Sequence, residues 1–211
     1  MSTPTNWHYN NITISGLPGS GSTTLLKYLK KNEELKFAGW KGFSGGEFMR
    51  AYAEEKGLFQ KEGGLHHFAT HYEDEFDLQV DMGMRTKLQE EKNWILESWL
   101  SGFLAQQVPG VLKILMRCSN KAVRVDRIVN RDGVTPEQAL HNMQQRYEEN
   151  RGKWQRLYAD KWEEWVVRPG TRPKGSTIDF WHEDLYDVVI DTYSHNQQEV
   201  MEIVLDAIKK N

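Results

Sequence analysis

The most informative stretch of this sequence is Gly16-Leu17-Pro18-Gly19-Ser20-Gly21-Ser22-Thr23-Thr24. It follows a β-branched run at 11–15 that predicts a strand, and it leads into a pattern at 23–31 that predicts a helix. The glycine spacing and this context are those of a phosphate-binding loop, G-x-x-x-x-G-K-[ST]. Such a loop curls its backbone N–H groups round a phosphate, and Thr23 could offer its hydroxyl to Mg²⁺. The lysine position of the motif is Ser22.

Strand and helix patterns alternate along the rest of the chain. Strands are predicted at 36–43, 94–96, 111–116 and 187–191. Helices are predicted at 46–56, 75–91 and 121–131. A further helix begins at the cap formed by Thr135 and Pro136, and a last one runs from a cap at Asn196 to residue 208. In the 75–91 helix, Asp77, Asp81 and Arg85 form a charged stripe beside an apolar one. The alternation predicts an α/β fold with a parallel sheet.

Composition limits the classes of protein that fit. The 211 residues correspond to one substantial domain, and 38% hydrophobic residues can form a sizeable core. The net charge of −3, from 27 basic and 30 acidic groups, gives no global positive field for a nucleic acid polymer. The single cysteine, Cys118, fits a reducing compartment. We find no signal peptide and no membrane-spanning apolar run, and therefore expect a soluble cytoplasmic protein without a membrane partner.

The loop sequence and a second segment, Ser44-Gly45-Gly46-Glu47-Phe48-Met49-Arg50, together resemble the archaeal-type cytidylate kinases. The loop of that family commonly reads G-S-G-T-T-T and also lacks the lysine. The similarity continues through 124–132, 146–158 and 186–192. It implies a P-loop kinase fold of five parallel strands, formed by a single domain at 11–211. The polar residues 1–10, which the resemblance does not cover, are expected to form a flexible N-terminus. A helical lid would occupy about 120–159, and the Trp-rich segment at about 160–183 looks like an insertion.

The resemblance implies a role for each matching residue. The loop from Gly16 to Thr24 would bind ATP, with Thr23 on Mg²⁺, while Ser44 and Arg50 would hold the phosphate of a nucleoside monophosphate acceptor. Further predicted site residues are the lid arginines Arg127, Arg131 and Arg146, which would supply the charge that the missing loop lysine does not. Glu97 could orient Mg²⁺-bound water or the acceptor, and Trp99 is the other predicted acceptor-binding residue. Arg124, on the same helix as the first two arginines, is expected to point more toward solvent.

Two positions depart from the family pattern. The family sequence Glu-Gly-Arg-Leu is Glu97-Ser98-Trp99-Leu100 here, so an arginine expected to hold the acceptor is a tryptophan whose face could stack on a base. The Arg-Tyr pair of the lid is Lys153-Trp154, which keeps one positive charge without the bidentate geometry.

We therefore favour ATP-dependent phosphorylation of a nucleoside monophosphate, with CMP or dCMP as acceptor. Two alternatives stay open: a kinase of another nucleotide or small molecule on the same fold, and a nucleotide-binding regulatory protein without turnover. Two weaker features complete the set. His66, His67 and His71 offer a weak metal-site hypothesis, and Trp162, Trp165 and Trp181 are expected to pack rather than to form a partner surface.

Overall fold

The computed structural model of the protein describes residues 7–55 and 72–209. In these residues five strands form one sheet: β1 (Asn11–Gly16), β2 (Lys41–Ser44), β3 (Trp94–Glu97), β4 (Val111–Arg117) and β5 (Val188–Asp191). Their order is β2-β3-β1-β4-β5, and each neighbouring pair is parallel. The predicted α/β fold with a five-stranded parallel sheet is confirmed. Because the strands run in one direction, the segments that follow them meet at the same edge of the sheet.

Helices connect the strands. They are α1 (Ser22–Lys31), α2 (Glu33–Phe37), α3 (Gly45–Glu55), α4 (Asp74–Glu90), α5 (Ser101–Leu104), α6 (Lys121–Asp132), α7 (Pro136–Leu157), α8 (Ala159–Trp162) and α9 (Gln197–Lys209). A π-helical turn (Glu163–Val167) and a 3₁₀ turn (Glu183–Leu185) lie between α8 and β5. Within the described ranges, none of these helices combines the length and the apolar character needed to cross a membrane.

The strand predicted at 36–43 begins later than the sequence pattern indicates. Its first two residues belong to α2, because the side chain of Asn32 caps that helix by accepting a 3.0 Å hydrogen bond from the N–H of Leu35. Leu35 is buried in the core, which fixes the short helix in place. Gly39, at φ 79°, then turns the chain into β2. The prediction was wrong for this first part and correct for the second.

The predicted lid coincides with the hairpin formed by α6 and α7. Gly133 ends α6 in the left-handed conformation, at φ 68°. Thr135 and Gln138 form a capping box at the start of α7, which confirms the predicted helix start. The closing movement of this hairpin stays a prediction.

Apolar side chains cover the sheet on both faces. Ile12 and Ile14 of β1 face a core shared with α1 and α9. The opposite core contains Phe103 of α5 together with the buried Trp162 and Trp165, so the expectation that these tryptophans pack is confirmed. The segment at 160–183 thus contributes core residues, and its status as an insertion stays a prediction.

Part of the segment expected to be a flexible N-terminus is held against the fold. The N–H of His8 donates to the carbonyl of Ile208 at 3.0 Å, and the N–H of Asn10 donates to the carbonyl of Gly110 at 2.7 Å. Residues 1–6 lie outside the described ranges.

Candidate active site

A cleft of about 980 Å³ opens where the strands end. Its lining includes Gly16 at the end of β1, Glu97 at the end of β3, and Thr192 just after β5. All the predicted site residues line this cleft except Ser20 and Ser44, which are buried beside it. The fold therefore brings the two sequence segments of the family resemblance, and the arginines of the helical hairpin, to one place.

The loop after β1 has the backbone geometry of an anion site. Gly19 and Gly21 adopt φ values of 80° and 92°, which favour glycine. A Cβ atom on Gly19 would lie 2.9 Å from the carbonyl oxygen of Arg124, so a side chain there would clash with α6. In the described part of the chain, the N–H groups of Thr23 and Thr24 have no hydrogen-bond acceptor, as the first turn of a helix leaves them. These donors and the positive end of the α1 dipole face the cleft.

Two arginines of α6 bind the outside of this loop. Nε and Nη2 of Arg124 each donate to the carbonyl of Pro18 at 3.2 Å, and burial lowers the pKa of Arg124. The expectation that Arg124 points toward solvent is therefore wrong, because the loop carbonyls attract its guanidinium. Arg127 donates to the carbonyl of Gly19 at 2.9 Å and to the hydroxyl and carbonyl of Thr192 at 2.7 and 3.0 Å. In this conformation Arg127 holds the loop, and its predicted catalytic role stays a prediction.

The carboxylate of Glu97 joins the loop to Ser44, which precedes α3. Its Oε1 accepts hydrogen bonds from the hydroxyls of Ser22 at 2.8 Å and Thr23 at 3.3 Å. Its Oε2 accepts from the hydroxyl of Ser44 at 2.6 Å, and that hydroxyl accepts in turn from the N–H of Glu47 in the first turn of α3. Ser22, in the lysine position, is thus a short buried group that faces a carboxylate and adds no positive charge to the loop.

Three arginines converge opposite the loop, from α3, α6 and α7. Burial, together with repulsion by Arg131 and Arg50, lowers the pKa of Arg146 to about 10. Within the described ranges Nε of Arg146 is buried without a hydrogen-bond partner. The carboxylate of Asp132 attracts Arg146, but it also accepts two hydrogen bonds from Arg131, at 2.6 and 2.8 Å. The cluster of Arg50, Arg131 and Arg146 therefore carries excess positive charge facing the cleft.

A side pocket of about 80 Å³ lies next to this arginine cluster, between α4 and α7. Asp81 lines it, and burial raises the pKa of this carboxyl to about 7 even though the hydroxyl of Tyr158 donates to it at 2.5 Å. Asp77 also lines it and pairs with the buried Lys153 at 2.9 Å. Lys153 additionally donates to the carbonyl of Tyr72 at 2.7 Å, so its charge is directed to α4 rather than to the cleft.

The sequence pattern predicts that Asp77 and Asp81 lie on a charged face of α4, but it does not indicate that they line a pocket. Asp77 and Asp81 were recognised only as a stripe on α4, and the spacing of that stripe was the signal that could have indicated a polar site. Asn150 of α7 lines the same pocket and carried no sequence signal. Trp99 lines both the pocket and the cleft, where the family resemblance has an arginine.

Two oxygen atoms at the start of α1 and the end of β3 could serve as ligands for Mg²⁺. Thr23 Oγ1 and a carboxylate oxygen of Glu97 lie 3.3 Å apart at the loop, and hard divalent cations prefer such oxygens. Across residues 7–55 and 72–209, this site included, no group of three or more His, Cys, Asp or Glu side chains could hold a metal. Phosphate oxygens and water would therefore complete a Mg²⁺ shell. The hypothesis of a site at His66, His67 and His71 falls outside the described residues.

The sequence and the fold of this chain are similar to those of known kinases. Residues 12–166 match the family model described as an AAA domain. The chain is 32% identical to a cytidylate kinase of Methanosarcina barkeri (strain Fusaro), over 93% of this chain and 95% of that protein. It is 30% identical to a cytidylate kinase of Pyrococcus abyssi, over 93% of this chain and 92% of that protein. A gluconokinase structure from Sinorhizobium meliloti shares the fold, with a TM-score of 0.53 and 11% identity over 96% of this chain and 93% of that one.

Proposed function

Because this chain belongs to the cytidylate kinase family, we propose that it transfers the γ-phosphoryl group of ATP to a nucleoside monophosphate, with CMP or dCMP as acceptor. The observation that carries the proposal is the cluster of Arg50, Arg131 and Arg146 opposite the phosphate-binding loop. Arg131 pairs with Asp132, whereas Nε of Arg146 is buried without a hydrogen-bond partner among the described residues. Three arginines that share one carboxylate create a site for a multiply charged anion. Two phosphate groups that meet between the loop and the cluster would supply that charge.

The donor side of the cleft suits ATP. The free N–H groups at the start of α1 would bind its phosphates. Arg124 and Arg127 stabilise the loop conformation through hydrogen bonds to the carbonyls of Pro18 and Gly19. Thr23 and Glu97 would hold Mg²⁺, which neutralises charge on phosphate oxygens when it is bound. The cleft continues past Thr192 to a wall formed by residues 195–198, which leaves room for the nucleoside of the donor.

The reaction needs positive charge more than it needs a base. A phosphate oxygen of the acceptor attacks the γ-phosphorus of ATP, the bond from that phosphorus to the bridging oxygen of ADP breaks, and a nucleoside diphosphate forms. The second pKa of a phosphate monoester is about 6, so the attacking oxygen is already ionised near neutral pH. Charge on the transferred group must be compensated, and the arginine cluster would do this in a chain whose loop lacks lysine.

The side pocket supports an acceptor base that carries an amino group. A cytosine presents its N4 amino group as a donor, and Asp or Glu carboxylates accept from that group. Asp81 and Asp77 line the pocket and would accept from this amino group, and Asn150 would donate to a ring acceptor. A uracil would present an oxygen in place of the amino group, so the two acidic side chains favour CMP over UMP.

A coupled assay with ATP, Mg²⁺ and a panel of nucleoside monophosphates tests the proposed activity. Turnover that is fastest with CMP or dCMP supports it. Turnover only with another acceptor would assign the chain to a different kinase activity on this fold, and ATP binding without turnover of any acceptor would assign it a regulatory role. The free buried thiol of Cys118 agrees with a reducing compartment, and we include a cytoplasmic location in the proposal.

A further inference from the structure

Trp99 contacts the central member of the arginine cluster. The guanidinium of Arg146 lies over the Trp99 ring, 5.0 Å from its centroid, which is within the range of a cation–π interaction. The two residues come from separate parts of the chain: Trp99 follows β3, and Arg146 lies in the middle of α7. The contact therefore joins the end of the sheet to the helical hairpin.

The orientation of the Trp99 ring is fixed by two other tryptophans. Trp154 meets it edge to face at 5.5 Å and 73°, and Trp181 does so at 6.0 Å and 72°. The indole N–H of Trp181 also donates to the carbonyl of Trp99 at 3.0 Å. Trp181 is itself packed against Tyr147, at 5.5 Å. Because these contacts fix the Trp99 ring, the ring is a rigid support for the guanidinium of Arg146 that lies over it.

Arg146 needs such a support. Its neighbours Arg50 and Arg131 repel it, and its Nε is buried without a hydrogen-bond partner among the described residues. Asp132 is already engaged by Arg131. The face of Trp99 carries negative electrostatic potential, so it stabilises a guanidinium without neutralising the charge that a phosphate would need. A carboxylate in this position would hold the arginine but would also compete with the substrate.

We propose that Trp99 is a positioning residue that holds Arg146 toward the transferred phosphoryl group. This inference rests on the proposed function and deepens it. The tryptophan that replaces the family's arginine in Glu97-Ser98-Trp99-Leu100 then supports the arginine cluster and does not stack on the base of the acceptor. An arginine at this position would add a fourth positive charge to the cluster, whereas the tryptophan adds an attractive surface. Arg146 contacts the substrates in this scheme, and Trp99 acts through Arg146.

Steady-state kinetics of Trp99→Leu and Trp99→Phe test this role. Loss of the aromatic face in Trp99→Leu should lower kcat about tenfold and leave the KM for CMP within about twofold of wild type. Trp99→Phe keeps an aromatic face and should recover most of kcat. Trp94→Leu is the matched control, because Trp94 carries Lys87 over its ring at 4.2 Å at the opposite end of β3, away from the cleft. An unchanged kcat in Trp99→Leu would overturn the proposal, as would a rise in the KM for CMP with kcat unchanged.

An NMR measurement separates this inference from the proposed activity. In protein labelled with ¹⁵N-arginine, the Nε–H proton of Arg146, assigned with Arg146→Lys, should show an upfield ring-current shift that disappears in Trp99→Leu. Sodium sulfate should move this signal, with half-saturation at an about tenfold higher concentration in Trp99→Leu than in wild type. Equal sulfate affinities in the two proteins would overturn the positioning role even if CMP is phosphorylated. Failure of wild type to phosphorylate any nucleotide would refute the proposed function and leave the sulfate result as the test of Trp99.

Discussion

The hydroxyl of Ser22 donates a 2.8 Å hydrogen bond to the carboxylate of Glu97. Ser22 stands where a phosphate-binding loop carries lysine, and here it ties the loop to the end of β3 instead of extending a cation toward phosphate. The same carboxylate accepts from Ser44 at the start of α3, so one buried group fixes both sides of the cleft. Compensation of phosphate charge consequently falls to the arginine cluster, whose members Arg50, Arg131 and Arg146 lie on three other helices.

The two hydroxyls on Glu97 Oε1 should differ in their effect on Mg²⁺. Thr23→Ala should raise the Mg²⁺ concentration for half-maximal activity about tenfold, because it removes a hydroxyl ligand at the start of α1. Ser22→Ala removes a hydrogen bond to the same oxygen and is the matched control, with a half-maximal Mg²⁺ concentration close to that of wild type. Titration of activity with Mg²⁺ at saturating ATP checks this, and identical curves for Thr23→Ala and wild type would remove Thr23 from the metal site.

Arg50 should serve the acceptor rather than ATP. Arg50→Ala should raise the KM for the nucleoside monophosphate about 10- to 100-fold, as expected for loss of hydrogen bonds to a charged group, and leave the KM for ATP nearly unchanged. Arg156→Ala is a suitable control, since that arginine is exposed and pairs with Asp74 at 2.8 Å on the surface. If both KM values of Arg50→Ala matched wild type, Arg50 would be a surface arginine without a role in binding.

The arginine cluster should be stabilised by anions. In thermal unfolding, sulfate should raise the Tm of wild type by several degrees more than that of Arg146→Gln, because a bound anion relieves the repulsion among Arg50, Arg131 and Arg146. Without sulfate, Arg146→Gln should unfold at the same temperature as wild type or higher. Equal stabilisation of both proteins by sulfate would mean that Arg146 takes no part in an anion site.

Asp81 should make the stability of the protein depend on pH. Burial raises its pKa to about 7 in the folded state, above the value of about 3.9 for an unperturbed Asp, so the folded protein holds this proton more tightly than the unfolded chain does. That contribution to stability is fully present below the unfolded pKa and is lost as the pH rises through about 7. The Tm of wild type relative to Asp81→Asn should therefore increase from about pH 8 to about pH 5. Parallel Tm profiles for the two proteins would contradict a raised pKa.

Local patterns were sufficient to predict most of the fold. The glycine spacing of the loop, the Thr135 cap and the apolar runs of β3 and β4 each report on a few neighbouring residues, which is the range over which sequence patterns act. The strand prediction at 36–43 is wrong in its first part because Asn32 caps a short helix there, which is an equally local signal. The fold could be predicted because the strand, helix and cap signals of neighbouring segments all indicate the same α/β arrangement.

Contacts between distant segments could not be predicted in the same way. Arg124 and Lys153 are charged residues on amphipathic helices, and nothing in their spacing shows that one binds the carbonyl of Pro18 and the other pairs with Asp77. The packing of Trp99 on Arg146 joins residues 47 positions apart, and it depends on how α7 crosses the end of β3. The family resemblance identified the positions of the site, and the structure shows which side chains act on one another.

Direct measurement of CDP formation from CMP, ATP and Mg²⁺, in wild type and Arg146→Ala side by side, tests phosphoryl transfer at the arginine cluster most directly. We predict that wild type forms CDP and ADP in equal amounts and uses UMP more slowly. Arg146→Ala should be folded and slower by about 10³-fold in kcat, the scale at which arginines act on transferred phosphoryl groups. Absence of CDP with wild type, or CDP formation at the wild-type rate by Arg146→Ala, would contradict this account.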